Sequence, residues 1–283
     1  MSEIKEIRLP QGRIRYRDSG TGEPIVLVHG LLANGELWRE VSPLLEAENR
    51  VIAPDWPLGS QQLPLEASAD LSPPGVARLV AELLEELELE RVTLVGNDTG
   101  GAICQLVAVS HPERLARVVL TNCDAYEHFP PAEFGLLKRV GSHASGLYAL
   151  AQAMRPAGAR RLHAAYGMLM KEPHDELTAE WVRPLRESAE IRRQTAAFIA
   201  AMDPRHTLGA AAGFAELKMP FLLAWAPQDR FFKLALAERL LGDLPDARLE
   251  LIEDSLTFVA LDQPRRTAAL ISSFACEPVR AAA

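Results

Sequence analysis

Residues 96–100 read Gly-Asn-Asp-Thr-Gly, which places the carboxyl group of Asp98 in a glycine-flanked turn. Apolar residues 91–96 precede the turn as a strand, and residues 100–108 follow it with helical composition. A strand-to-helix turn this tight presents its central side chain beyond the sheet. The chemistry open to that side chain is set by its type. A serine alkoxide suits attack on a carbonyl, whereas a carboxylate is ionised near neutral pH without help from a base and can displace a leaving group from a saturated carbon.

The elements that must position Asp98 can be laid out from hydrophobic periodicity. Short β-branched runs are expected as strands over 3–9, 13–17 and 25–29, split by turn signals at 11–12 and 18–22. Helix and strand then alternate: a helix over 36–47, a strand over 50–53, a helix over 74–87 with a Pro-Pro start, a strand over 92–95, a helix over 100–110 and a strand over 116–121. The alternation resumes with a strand over 221–225, a helix over 234–241, a strand over 248–252 and a helix over 263–274. Fully apolar strands alternating with helices predict an α/β fold, a mostly parallel central sheet with helices on both faces. Residues 125–217 break the pattern: they are rich in Ala, Leu and Arg, helical in spacing and devoid of a convincing strand. The expected organisation is a core of 1–124 and 218–283 with a helical lid inserted over 125–217.

Composition narrows the function classes. The chain has 283 residues, enough for one large α/β domain with an insertion. Its 38 acidic residues against 30 basic ones argue against a nucleic-acid partner or an anionic membrane surface. No apolar run approaches a membrane span, and the charged N-terminal stretch is unlike a signal peptide. Cys104, Cys123 and Cys276 are too few and too scattered for a disulfide framework or a zinc site. The expectation is a cytoplasmic protein that uses neither metal nor cofactor, with the oligomeric state, monomer or homodimer, left open.

Three features together resemble the α/β-hydrolase superfamily over nearly the whole chain: His29-Gly30 closing the third strand, the 96–100 turn, and Pro227-Gln-Asp229 after a late strand. An Asp at the elbow resembles the branch of epoxide hydrolases and haloalkane dehalogenases. The resemblance implies that Asp98 is the nucleophile, kept charged in part by the dipole of the following helix. It implies that the backbone N–H groups of Leu31 and Thr99 stabilise the oxyanion. It also implies a triad acid at Asp229, or at Asp124 after the strand that follows the elbow helix. Asp124 has a second reading as the cap of a lid helix, and His29 is read as a buried structural residue.

The chain departs from that family at the triad histidine. Phe258 and Asp262-Gln-Pro264 align with the family pattern, Thr257 stands in the histidine's place, and no histidine follows His206. Histidine is not required to form an alkyl-enzyme ester, but it activates the water that removes it, and a positioned base typically contributes roughly 10²–10⁴-fold. His128, at the start of the lid, is the candidate replacement base; its other reading is an exposed hinge residue. Thr99 and Leu31 stand where dehalogenases usually place Trp and either Asn or Glu. Tyr126, Tyr148 and Tyr166 are candidates for the lid tyrosines that protonate an epoxide oxygen, so an epoxide is preferred to a haloalkane. Trp38 is a candidate to line the pocket or to pack the core. Three functions stay open: a hydrolase acting on a small apolar electrophile, a non-hydrolytic acid/base enzyme (lyase, isomerase or cyclase) on the same pocket, and a degenerate binder of a small apolar ligand.

Overall fold

The computed structural model describes residues 3–163 and 165–277. Eight strands form one sheet: β1 (Ile4–Leu9), β2 (Gly12–Ser19), β3 (Glu23–Val28), β4 (Asn49–Pro54), β5 (Val92–Asp98), β6 (Leu115–Cys123), β7 (Phe221–Trp225) and β8 (Ala247–Leu251). Their order is β1-β2-β4-β3-β5-β6-β7-β8. β1 pairs antiparallel with β2 and β2 with β4, while the remaining pairs are parallel. This is the expected α/β-hydrolase architecture. The central strands β3 and β5 are buried almost throughout, as parallel strands covered on both faces must be. The outer strand β1 carries Lys5, Glu6 and Arg8 and is largely exposed, which blunts it as an aggregation edge.

The strand order fixes where a site can form. From β3 the chain crosses to β4 on one side, then returns to β5 on the other, so β3 and β5 are neighbours at the point where the winding reverses. Ligand sites of open α/β sheets lie at the carboxyl ends of strands at such a point. Val28 pairs with Gly96, which brings the loop after β3 alongside the end of β5, and Asp98 pairs with Cys123 at the end of β6. Residues 29–31, Asp98 and Asp124 thereby share one end of the sheet.

Two expected elements differ. The stretch 36–47 is not one helix but a 3-10 turn, Gly35–Trp38, and a short helix, Ser42–Leu45. Pro43 has no N–H to give to a carbonyl one turn back and is accommodated only in a first turn. β5 and β6 run on to Asp98 and Cys123, further than their apolar runs suggest, because the polar residues at their ends are still in the ladder.

Between β6 and β7 the described residues form only helices and turns. They pack over the carboxyl end of the sheet. Trp181, in the helix Asp175–Glu187, donates its indole N–H to Asn34 Oδ1 (2.8 Å), Ser60 donates to the Trp181 carbonyl (2.8 Å), and Tyr166 donates to the Leu32 carbonyl (2.7 Å). No helix among the described residues is long and apolar enough to cross a membrane.

Two asparagines lock the strand ends. Asn97 Nδ2 donates to Thr121 Oγ1 (2.9 Å) and to the Thr257 carbonyl (2.7 Å). Asn122 Nδ2 donates to the Ala226 carbonyl (3.0 Å), and the Ala226 N–H returns a bond to Asn122 Oδ1 (2.7 Å). Asn97→Ala would strand the buried Thr257 carbonyl, and an unsatisfied buried acceptor costs about 1–3 kcal/mol. Urea unfolding followed by circular dichroism should show a lower midpoint at unchanged slope. A change within about 0.5 kcal/mol, the range of ordinary surface substitutions, would contradict this account.

Candidate functional site

Asp98 has φ +54° and ψ −130°, a backbone conformation that a residue with a side chain adopts at a cost of order 1–3 kcal/mol. It caps the helix Thr99–Ser110. The strain points its carboxylate back at the loop after β3, where Oδ2 accepts a hydrogen bond from the Leu31 N–H (3.0 Å). Gly30 makes this approach feasible: a Cβ there would lie 2.0 Å from Asp98 Oδ2.

The loop that supplies the Leu31 N–H is itself pinned. His29 Nε2 accepts from the Trp56 N–H (2.8 Å), so the ring carries its proton on Nδ1 and donates it to the Gly30 carbonyl (2.9 Å). Complete burial pushes its pKa down to about 4, and the ring stays neutral. The Leu32 N–H bonds the Leu58 carbonyl (2.8 Å), and Leu32 holds φ +57°. His29 is a structural lock.

Three buried carboxyl groups meet at this end of the sheet. Asp98 is only 9% exposed. Burial, with the Asp229 charge adding to it, pushes its pKa up to about 7 against the opposing Thr99 and Leu31 N–H groups. Asp124 Oδ2 accepts from the Thr99 hydroxyl (3.1 Å), and Gln105 donates to the Asp124 carbonyl (2.8 Å). Burial first and the Asp98 charge second hold the Asp124 carboxyl well above the usual range, against the opposing bond from the Thr99 hydroxyl. Asp229 follows β7, and its Oδ1 accepts from the Phe231 (2.8 Å) and Phe232 (3.2 Å) N–H groups. Its pKa is also raised, chiefly by burial.

Thr257 is buried beside this cluster. Its hydroxyl favours the ionised form of Asp229. Yet no hydrogen bond of normal geometry joins the two, since Thr257 Oγ1 and Asp229 Oδ2 are both buried without a partner among the described residues. The turn carrying Thr257 is held from outside its side chain. Asp262 accepts from the Leu256 and Lys171 N–H groups (both 2.8 Å), and the Phe258 N–H bonds the Leu169 carbonyl (2.7 Å). Above the turn, Trp181 packs edge-on against Phe258 (5.6 Å between centroids) and beside Tyr166 (5.4 Å), an apolar wall.

The other candidates fall elsewhere. His128 is exposed, in a turn closed by its N–H on the Ala125 carbonyl, and makes no hydrogen bond to any of the three carboxyl groups. Tyr126 donates to Asp243 (2.8 Å), with the Arg239 guanidinium 3.6 Å from its ring centre. Tyr148 is 45% exposed beneath Arg192, because its helix buries Leu147 and Ala151 and so turns the next residue outward. Tyr166 is buried with its hydroxyl committed to Leu32. None of the three tyrosines makes a hydrogen bond to Asp98. Trp38 is wholly buried in the hydrophobic core. Sequence reasoning missed Asn97 and Asn122, although asparagine inside a strand, where it is normally depleted, was a usable signal.

The family model of the alpha/beta hydrolase fold matches residues 23–264. Haloalkane dehalogenase 2 of Mycobacterium tuberculosis (strain ATCC 25618 / H37Rv) is 30% identical over 281 residues, covering 92% of this chain and 91% of that protein. A 2-hydroxy-6-oxononadienedioate/2-hydroxy-6-oxononatrienedioate hydrolase of Burkholderia vietnamiensis (strain G4 / LMG 22486) is 27% identical over 248 residues, covering 84% of this chain and 82% of its own. Among solved structures, haloalkane dehalogenase DbeA from Bradyrhizobium elkani USDA94 superposes with a TM-score of 0.80 over 96% of this chain and 97% of that one, at 17% identity.

The Asp98 carboxyl carries a stability signature. Its folded pKa, about 7, lies above its unfolded value near 3.8, so the folded state binds the extra proton. The stabilising contribution is full below pH 3.8 and is lost as pH rises through 7. Asp98→Asn, which cannot ionise, should raise Tm relative to wild type at pH 8, by the equivalent of about 1–4 kcal/mol, and the gain should vanish toward pH 4. A gain that does not change with pH would rule out burial of this charge as its source.

Proposed function

The chain belongs to the α/β-hydrolase fold family, and from that premise we propose that it is a hydrolase-type enzyme whose nucleophile is the Asp98 carboxylate and whose substrate is a small apolar electrophile with a leaving group on a saturated carbon. The observation that carries the reading is the strained Asp98 backbone, with carboxylate oxygen Oδ2 held on the Leu31 N–H, which leaves Oδ1 as the attacking oxygen in this reading. That oxygen forms a bond to carbon as the carbon–leaving-group bond breaks, and the leaving group departs with the electron pair. Asp98 Oδ2 becomes the carbonyl oxygen of the resulting ester, already beside the N–H groups of Leu31 and Thr99. Those donors then stabilise the oxyanion that forms when water attacks.

The second half-reaction is the impaired one. Thr257 takes the place of the histidine base, and a hydroxyl of high pKa cannot deprotonate water near neutral pH. Asp229, with one oxygen unpaired, is the remaining candidate to orient or deprotonate that water. Asp124, bonded to the Thr99 hydroxyl, serves instead to orient Thr99. No hydrogen bond joins Tyr126, Tyr148 or Tyr166 to Asp98, and a halide is the leaving group handled by the relatives named dehalogenases. The wall of Tyr166, Trp181 and Phe258 suits an apolar alkyl group. A second reading is favoured by the same carboxyl pKa. A group that titrates near 7 is poised for proton transfer, and Asp98 could serve as general acid/base in a lyase or isomerase with no ester formed.

Intact-protein mass spectrometry after exposure to a panel of alkyl halides and epoxides separates the two. Alkylation of Asp98 is expected, absent in Asp98→Asn, and faster as pH rises through 7 because only the carboxylate attacks. The adduct should persist in the wild type and turn over in Thr257→His. Catalysis without any adduct would replace this reading with the acid/base one.

A further inference from the structure

A cavity lies in the helical excursion, and Asp98, Asp124 and Asp229 are not among its lining residues. It sits between the end of the helix Ala144–Ala153 and the start of the helix Asp175–Glu187 and has a volume of about 120 Å³. Water occupies about 30 Å³ per molecule in the liquid, so the space holds a few heavy atoms. Arg160, Tyr166, Met170, Lys171, Pro173 and Thr178 are among its walls.

Arg160 is the unusual member. It is only 6% exposed, yet its hydrogen bonds go to neutral acceptors: Nε to Thr178 Oγ1 (3.1 Å), Nη1 to the Met154 (3.0 Å) and Arg155 (2.6 Å) carbonyls, and Nη2 to the Asp175 carbonyl (3.1 Å). A guanidinium has five N–H donors, and these bonds use four. No carboxylate pairs with Arg160 among the described residues. The Asp175 carboxylate is taken by Arg161 (3.0 Å to Nε) and the Asp254 carboxylate by Lys171. The Asp175 charge is felt by Arg160, but no carboxylate oxygen bonds the guanidinium, and direct pairing is what most relieves the cost of a buried cation. The other walls are mixed: the Tyr166 ring, Met170 and Pro173 are apolar, while Arg161, His174 and Asp175 are polar or charged.

We propose that this cavity binds a small amphipathic anion, a short-chain monocarboxylate. Its carboxylate meets the uncommitted Arg160 N–H with Lys171 at the rim, and its alkyl chain lies against Tyr166 and Met170. A phosphate would find no use for the apolar side. The ligand would rest on the same tyrosine that anchors Leu32, one residue from the N–H group that holds Asp98. The proposal does not depend on the chemistry at Asp98, because its test reads binding alone.

Isothermal titration of the full chain with sodium butyrate, butyramide and inorganic phosphate tests it. Saturable one-site binding of butyrate is expected, with butyramide weaker by about tenfold or more, the scale of a lost charge-assisted hydrogen bond, and phosphate weaker still. Lys171→Met, a substitution near the surface, should weaken butyrate several-fold, and Arg160→Gln should abolish binding while circular dichroism confirms the fold. Absence of saturable butyrate binding, equal binding of butyramide or phosphate, or full affinity in a folded Lys171→Met and Arg160→Gln pair would each overturn the assignment. The butyramide comparison needs no variant, so it decides even if Arg160→Gln does not fold.

Discussion

The hydrogen bond from the Leu31 N–H to Asp98 Oδ2 is the contact on which the site depends. It requires Asp98 to hold a left-handed backbone conformation and the loop after β3 to approach within a distance that only glycine at position 30 permits. It also requires the loop not to drift, which the neutral His29 ring secures by bonding Trp56 on one side and Gly30 on the other. A single N–H thus draws its precision from three separate constraints. Each is local in sequence but meets the others only because β3 and β5 are neighbours in the sheet.

Around that contact the protein keeps three carboxyl groups out of water with no histidine between them. Mutual repulsion and desolvation act in the same direction, so the cluster does not hold three charges at neutral pH. Asp124 is held well above the usual carboxylate range, and Asp98 sits near the balance point. Which groups are charged is therefore a property of the cluster and not of any one residue. The N–H donors on Asp98 and Asp229 choose where the remaining charge goes. The site is electrostatically economical, and its reactivity is inseparable from its burial.

Much of this was legible in the chain. The 96–100 turn, the His29-Gly30 pair and the alternation of apolar strands with helices point to the sheet and to Asp98, because period and turn chemistry are local signals. The split of 36–47 was written in Pro43 and was overridden by an apolar pattern that looked continuous. The tyrosines could not be placed, because the direction a helical side chain takes depends on which face of its helix is buried, and that is decided by packing between helices that share no sequence signal. Asn97 and Asn122 escaped for a related reason. Their partners, the Thr257 and Ala226 carbonyls, lie more than a hundred residues away in the chain, and backbone carbonyls leave no trace in residue types.

The turn that carries Thr257 is fastened by its own carbonyl, by the N–H groups of its neighbours and by Asp262, and not by its hydroxyl. Position 257 is in effect a socket, in which the address of the side chain is guaranteed by the frame and its identity is left free. Sequence change at a socket does not have to be repaired elsewhere. Under the proposed function, a change at this position would exchange a recycling catalyst for a one-shot reagent, or reverse the exchange, through a single codon and without rebuilding the scaffold that aims it.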